Sequence, residues 1–281
     1  MKLLKQLLNF YINSSIHVAL SVFSLSWISL MEFRVPYDVT VLCFIFFSSV
    51  TGYNFVKYFG IAKFHHRRLA TWLKAIQIFS FFSFLMLCYY AWMLEKLTLF
   101  YIAGFGLITF FYAMPLLPKH LFVDNQHNLR SISGLKVYLI GLVWSGVTVF
   151  LPLINNQYRI DSDVFITGIQ RFLFVIVLML PFEIRDLQYD NLKLATLPQK
   201  LGVKGTKIMG VLLLGCFLFL EFLKIEPPSI NYVTVLYLIT LITMLFVIIS
   251  KKDQGSYYSS FFVEGLPMLW LLMLLVFNYF N

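Results

Sequence analysis

Apolar stretches of membrane-spanning length recur along almost the whole chain, at approximately 9 to 31, 37 to 59, 70 to 92, 97 to 118, 135 to 154, 164 to 184, 207 to 224, 230 to 249 and 260 to 280. A helix needs roughly 20 mostly apolar residues to cross the hydrocarbon core of a bilayer, so nine crossings take up most of the 281 residues. In lipid, backbone polar groups must be satisfied within helices or closed barrels. These runs are far longer than the roughly 10-residue alternating strands of outer-membrane barrels. The expected fold is therefore all-α, a polytopic membrane protein of about nine transmembrane helices forming a single transmembrane domain over residues 1–281. A chain that is 60% hydrophobic and 12% charged excludes a soluble globular domain.

The N-terminus, MKLLKQLLNF, has the basic start of a signal peptide, but the apolar run continues past Trp27 without a small-residue cleavage site. It reads as the first span, retained. Cys43, Cys88 and Cys216 fall singly within spans without metal-ligand spacing, and read as packing residues. With the N-terminus placed in the cytoplasm, only Arg34, Lys96, Arg159, Arg171 and Lys224 lie outside, and the other 17 of the 22 basic residues lie inside. The positive-inside rule favours that orientation, in the cytoplasmic membrane. It also accounts for the net charge of +9 without nucleic acid, since the basic residues are scattered over short loops.

Polar residues concentrate in the expected inner loops, above all in EIRDLQYDNLKLATLPQKLG, from Glu183 to Gly202. If the sixth span continues as a helix, Glu183, Asp186 and Asp190 share one face. Like charges this close repel, and a charge at the bilayer centre costs roughly 2.5–3.5 kcal/mol, so the cluster must be solvated or bound to a cation. Two readings fit. One is a solvated helix end neutralised by Arg185, Lys193 and Lys200. The other is a magnesium site, because Mg²⁺ binds through one or two carboxylates plus substrate phosphates; a diphosphate would suit it.

The order of residues in this segment adds a resemblance. Arg185-Asp186, then Asp190, then Thr196-Leu197-Pro198 and Leu201-Gly202 resemble the second aspartate-rich motif of the UbiA family of membrane prenyltransferases, an R-D-x-x-x-D core with a T-L-P and L-G tail. Weaker echoes are Phe111-Tyr112 with Pro115, Gly134-Leu135-Lys136, and Trp144. The resemblance implies a helical bundle around a central cavity that opens to the cytoplasm. It also implies Mg²⁺-dependent transfer of an isoprenoid chain from a prenyl diphosphate to an aromatic or lipophilic acceptor. By this resemblance Asp186 and Asp190 hold the metal and carry catalysis, Asn54, Lys57 and Arg185 line the phosphate side, and Tyr112 the cavity mouth.

The family's first motif, N-D-x-x-D-x-x-x-D, is not reproduced. The corresponding stretch runs from Asn54 to Ala62, keeps only the asparagine, and no Asp or Glu occurs between Asp38 and Glu95. One acidic arm is missing. Lys57, or Lys63, His65, His66, Arg67 and Arg68 nearby, are then candidates to meet phosphate directly, or serve as positive-inside anchors. The alternative function is a UbiA-fold protein that binds an isoprenoid or quinone-like lipid without turnover. A transporter is disfavoured, since no pair of Gly/Pro-broken short helices recurs in two halves.

Four other polar features complete the reading. His17 in the first span is expected to be neutral and hydrogen-bonded across helices. Glu264, near the start of the ninth, is left without a role. Asp161 and Asp163 beside Arg159 read as surface charge. Asp124 and His127 lack a third ligand at metal spacing.

Overall fold

The computed structural model describes residues 2–64, 71–113, 134–188, 196–226 and 228–279. Every regular element among them is helical: α1 (Lys2–Asn13), α2 (Ile16–Glu32), α3 (Val39–Phe64), α4 (Thr71–Trp92), α5 (Lys96–Ala113), α6 (Leu135–Ser145), α7 (Leu151–Asn155), α8 (Ser162–Asp186), α9 (Leu197–Glu221), α10 (Ile230–Ile249) and α11 (Leu266–Tyr279). A five-residue π-helical stretch, Gly146–Phe150, joins α6 to α7 into one crossing, and a second, Tyr258–Val263, leads into α11. Among the described residues seven helices are long and apolar enough to span a membrane, or eight if α1 and α2, bent by 58°, count as one broken span. The fourth expected span, 97 to 118, corresponds to α5, whose continuation past Ala113 lies outside the described residues.

The first span is where expectation and structure part. The apolar run from 9 to 31 is not one helix. It breaks at Ser14 and Ser15, where Ser15 takes a left-handed conformation (φ 63°). Three polar residues in a row, Asn13-Ser14-Ser15, offer side-chain groups that compete with the helical backbone; an apolar window averages that signal away.

Hydrophobicity drives the chain into lipid but does not hold helices together there, because lipid tails are as apolar as leucine; close packing does. The hub is α8, whose span is 67% buried, whereas that of α4 is 11% buried and faces outward. Around α8 stand α6, α9 and α10, with α2 bridging α3 and α11. Phe174 of α8 packs edge-on against Trp270 of α11 at 5.2 Å, and Phe217 of α9 meets both rings. Gly146 opens the π-helical stretch because α5 sits against it: a Cβ there would lie 2.0 Å from the Phe105 ring.

The tail of the acidic segment has a plain structural reason. Thr196 precedes α9, and Gln199 Oε1 accepts a 3.0 Å hydrogen bond from the Thr196 N–H, the return half of a capping box. Pro198 lies in the first turn, where its missing N–H is harmless. Gly202 (φ 70°, ψ 167°) breaks the helix in a conformation only glycine adopts readily.

Candidate functional site

Asn54 and Lys57 lie on the part of α3 that meets the break between α1 and α2. Ending α1 orphans its last carbonyls, and breaking a helix within lipid is tolerated only when other groups satisfy them. Tyr58 donates to the Asn13 carbonyl at 2.8 Å, and Asn54 Nδ2 to the Ser14 carbonyl at 2.9 Å. The same amide donates to Ser80 Oγ of α4 at 2.8 Å, while Asn54 Oδ1 accepts from Ser15 Oγ at 2.8 Å. Lys57 Nζ then donates to Ser15 Oγ at 2.9 Å, and its side chain stays accessible. Asn54 is 4% exposed, so its hydrogen-bonding groups are consumed by structure; Lys57 keeps ammonium protons to offer.

The other expected arm stands at the end of α8. Glu183 is buried and accepts from Lys136 of α6 at 3.1 Å. Asp186, partly exposed, pairs with the neighbouring Arg185 Nε at 2.8 Å. Of the expected three-carboxylate face only Glu183 and Asp186 fall within the described residues. Helix α8 stops at Asp186 and gives way to a turn at Leu187 and Gln188, and the buried Glu183 pairs with the partly exposed Lys136. Asp190 and Lys193 lie outside the described residues, as do His65, His66, Arg67, Arg68, Pro115, Asp124 and His127; of Lys63, Phe111 and Tyr112 only the backbone is described, in α3 and α5.

Glu264 joins the two halves. It follows the π-helical stretch before α11, and both Lys57 of α3 and Arg185 of α8 act on its carboxylate electrostatically. Its carbonyl accepts a short hydrogen bond from Ser21 of α2. Beside it His17, 2% exposed, is fixed between the Tyr11 hydroxyl (2.9 Å) and the Phe261 carbonyl (2.8 Å). A carbonyl can only accept, so Nε2 carries the proton, and in the neutral ring Nδ1 accepts from Tyr11. The π-helical turn that aims Phe261 at His17 explains why a linear reading gave Glu264 no role.

A second polar centre, which the sequence did not reveal, occupies the opposite end of the bundle. Glu32, at the end of α2, accepts from Lys224 (2.6 Å), Thr167 of α8 (2.7 Å) and Tyr232 of α10 (2.7 Å). Lys224 also pairs with Glu221 at 2.8 Å, and Gln170 donates to that carboxylate at 2.8 Å. Arg171, 2% exposed, donates to Ser29 at 3.2 Å and lies 5.0 Å above the Trp270 ring. Arg171 and Lys224 are thus internal braces rather than loop charges. Burial by itself would lower the Lys224 pKa, but Glu32 and Glu221 outweigh it and hold the ammonium above the usual lysine value.

Two further expectations change here. Asp161 caps α8 by accepting from the Asp163 and Val164 N–H groups, both at 3.1 Å, and Asp163 is buried, accepting from the Ile225 and Glu226 N–H groups at 3.0 Å. Neither is idle surface charge; each collects backbone donors that the helix start and the loop leave free. Cys88 and Cys216 are exposed on the bundle surface, not packed within it. Two hollows, of about 160 Å³ beside Glu32, Asp163 and Lys224 and about 410 Å³ beside Glu95, Tyr101 and Tyr158, lie at this end. Among the described residues no three His, Cys, Asp or Glu side chains gather as a metal site.

No protein-family profile matches this chain, and no curated protein sequence does. Two solved structures are similar to it in fold. One is a UbiA homologue from Aeropyrum pernix K1 in its apo form, with a TM-score of 0.63, 13% identity, and 94% of this chain and 98% of that one covered. The other is described as a digeranylgeranylglyceryl phosphate synthase in membranes, with a TM-score of 0.59, 16% identity and 98% of each chain covered. The fold implied by the acidic segment is therefore the fold observed: this chain is an all-helical, multi-pass membrane protein with the architecture of UbiA homologues.

Proposed function

We propose that the Lys57 end of the bundle binds a prenyl diphosphate and transfers its isoprenoid chain to an aromatic or lipophilic acceptor, within one transmembrane domain of the cytoplasmic membrane whose N-terminus faces the cytoplasm. The observation that carries this reading is that Lys57 of α3 and Arg185 of α8, remote in sequence, both come near enough to Glu264 to act on its carboxylate electrostatically. The fold that carries both residues is similar to that of a digeranylgeranylglyceryl phosphate synthase, which supports the reading.

The donor set suits magnesium through Asp186, with one oxygen held by Arg185 and the other free for a cation, and Asp190 as the second ligand. One or two carboxylates plus substrate phosphates are what Mg²⁺ ordinarily takes. When bound, the ion would neutralise charge on the departing diphosphate. Lys57 contributes a direct ammonium contact to phosphate where the missing acidic arm would have used a second ion. Arg185 offers its remaining N–H groups to the same anion, and Asn54 holds Lys57's hydroxyl partner, Ser15, in place. Tyr112 would line the cavity mouth. The allylic C–O bond breaks with its electron pair leaving on diphosphate, the acceptor bonds to the freed carbon, and the acceptor's displaced proton passes to a diphosphate oxygen. Aromatic faces, abundant in 31 Phe and 16 Tyr, would stabilise the allylic cation.

A second reading retains the ligand and drops turnover. It is favoured by Asn54, which occupies the start of the missing acidic arm and whose amide is spent on Ser14, Ser15 and Ser80. Titration of purified protein with a fluorescent prenyl diphosphate, with and without Mg²⁺, tests the shared step; release of diphosphate in the presence of candidate acceptors separates the readings. Asp186→Asn and Asp190→Asn should weaken binding only when Mg²⁺ is present. Equal, metal-independent binding by all three proteins would overturn the site.

A further inference from the structure

Helix α1 is built to lie on a surface rather than to cross one. Its register places Lys5, Gln6, Asn9 and Asn13 on one side and Leu4, Leu7, Leu8 and Tyr11 on the other, the pattern of an amphipathic helix. It departs from α2 by 58°. The 17 residues of α2 alone rise about 26 Å, close to the roughly 30 Å of a hydrocarbon core, so α1 is not needed to complete the crossing.

Only the second half of α1 is docked on protein. Phe10 meets Phe79 of α4 at 6.1 Å, and Asn9 accepts from Tyr257 at 2.7 Å. The first half projects: Leu4 is 72% exposed and Leu7 59% exposed, one turn apart on the apolar side, with Lys5 and Gln6 exposed beside them. No acidic residue precedes Glu32, and the exposed pair Lys251-Lys252 lies at the same end of the bundle, a few residues before Tyr257. An apolar stripe edged by lysines at the end of a membrane bundle has one fitting partner, the headgroup and upper acyl region of an anionic leaflet.

We infer that α1 is an interfacial helix that seats Leu4 and Leu7 in the bilayer surface and uses Lys5 to select anionic lipid. The break at Ser14 and Ser15, clamped by Asn54 and Lys57, is what turns it into the plane. This inference is independent of any prenyl chemistry.

The test places a single cysteine at Leu7 in a Cys43→Ser, Cys88→Ser, Cys216→Ser background and attaches an environment-sensitive fluorophore. The protein is reconstituted in phosphatidylcholine nanodiscs with or without phosphatidylglycerol. Quenching by lipids carrying a nitroxide near the headgroup should exceed quenching by chain-end nitroxides or aqueous iodide, and should rise with phosphatidylglycerol. Lys5→Gln should weaken the phosphatidylglycerol-dependent docking constant by about fivefold, since a lysine near an anionic surface contributes about 1 kcal/mol. Dominant chain-end quenching would show a continuous span, dominant iodide quenching a helix free in water, and label-to-label proximity a second copy of the chain. Each of these overturns the inference.

Discussion

Lys57 Nζ donates a 2.9 Å hydrogen bond to Ser15 Oγ, and Ser15 is the left-handed residue at which the first span breaks. A side chain proposed to meet phosphate is thereby tied to the bend of α1. Its two roles call for separate measurements.

Lys57→Met keeps the length of the side chain and removes the charge. Hydrogen bonds to charged groups are worth about 1.5–3 kcal/mol, so prenyl diphosphate affinity should fall roughly tenfold to a hundredfold with only a small change in melting temperature. Unchanged affinity would remove Lys57 from the phosphate side.

Asn54→Leu has the opposite signature. It strips the Ser14 carbonyl and the Ser15 and Ser80 hydroxyls of a buried partner, and an unsatisfied buried group costs about 1–3 kcal/mol. Thermal stability in detergent or nanodiscs should drop markedly, and limited proteolysis should reach α1 first. A wild-type melting curve would show that the clamp is dispensable.

Lys224→Met leaves Glu32 and Glu221 buried without their cation. Breaking a buried pair by deleting one partner costs about 3–5 kcal/mol. Replacing all three, with Glu32→Gln and Glu221→Gln added, should recover part of that loss, because uncompensated charge is the main penalty. Urea or thermal unfolding of the single and triple variants checks both statements.

The same lysine sets an alkaline limit. Its pKa is raised in the folded protein, so the stabilisation it gives is fully present below the unfolded lysine value of about 10.4 and is lost as pH rises through the higher folded value. Melting temperature should therefore fall more steeply above about pH 10.4 in the wild type than in the triple variant. Parallel curves would refute the linkage.

Gly202→Ala isolates backbone strain. Nothing lies within 4 Å of a Cβ built there, so no clash arises, yet φ 70° with ψ 167° is essentially closed to alanine. A cost of about 1–3 kcal/mol in stability is expected. Gly215→Ala, also in open space but without positive φ, is the control and should be neutral or slightly stabilising.

What the sequence determined by itself was the solvent and the architecture, because long apolar runs admit only helices in lipid and the acidic segment carried enough order to point to the UbiA fold. Tertiary structure alone decided which charges meet. Glu183 met Lys136, Glu32 met Lys224, and Glu264 came within electrostatic reach of Lys57 and Arg185, each bringing together residues far apart in the chain through helix packing that no periodicity encodes. Tertiary structure also ended α1 at Asn13, where Asn54 and Tyr58 supply the donors that let a helix break inside a membrane protein.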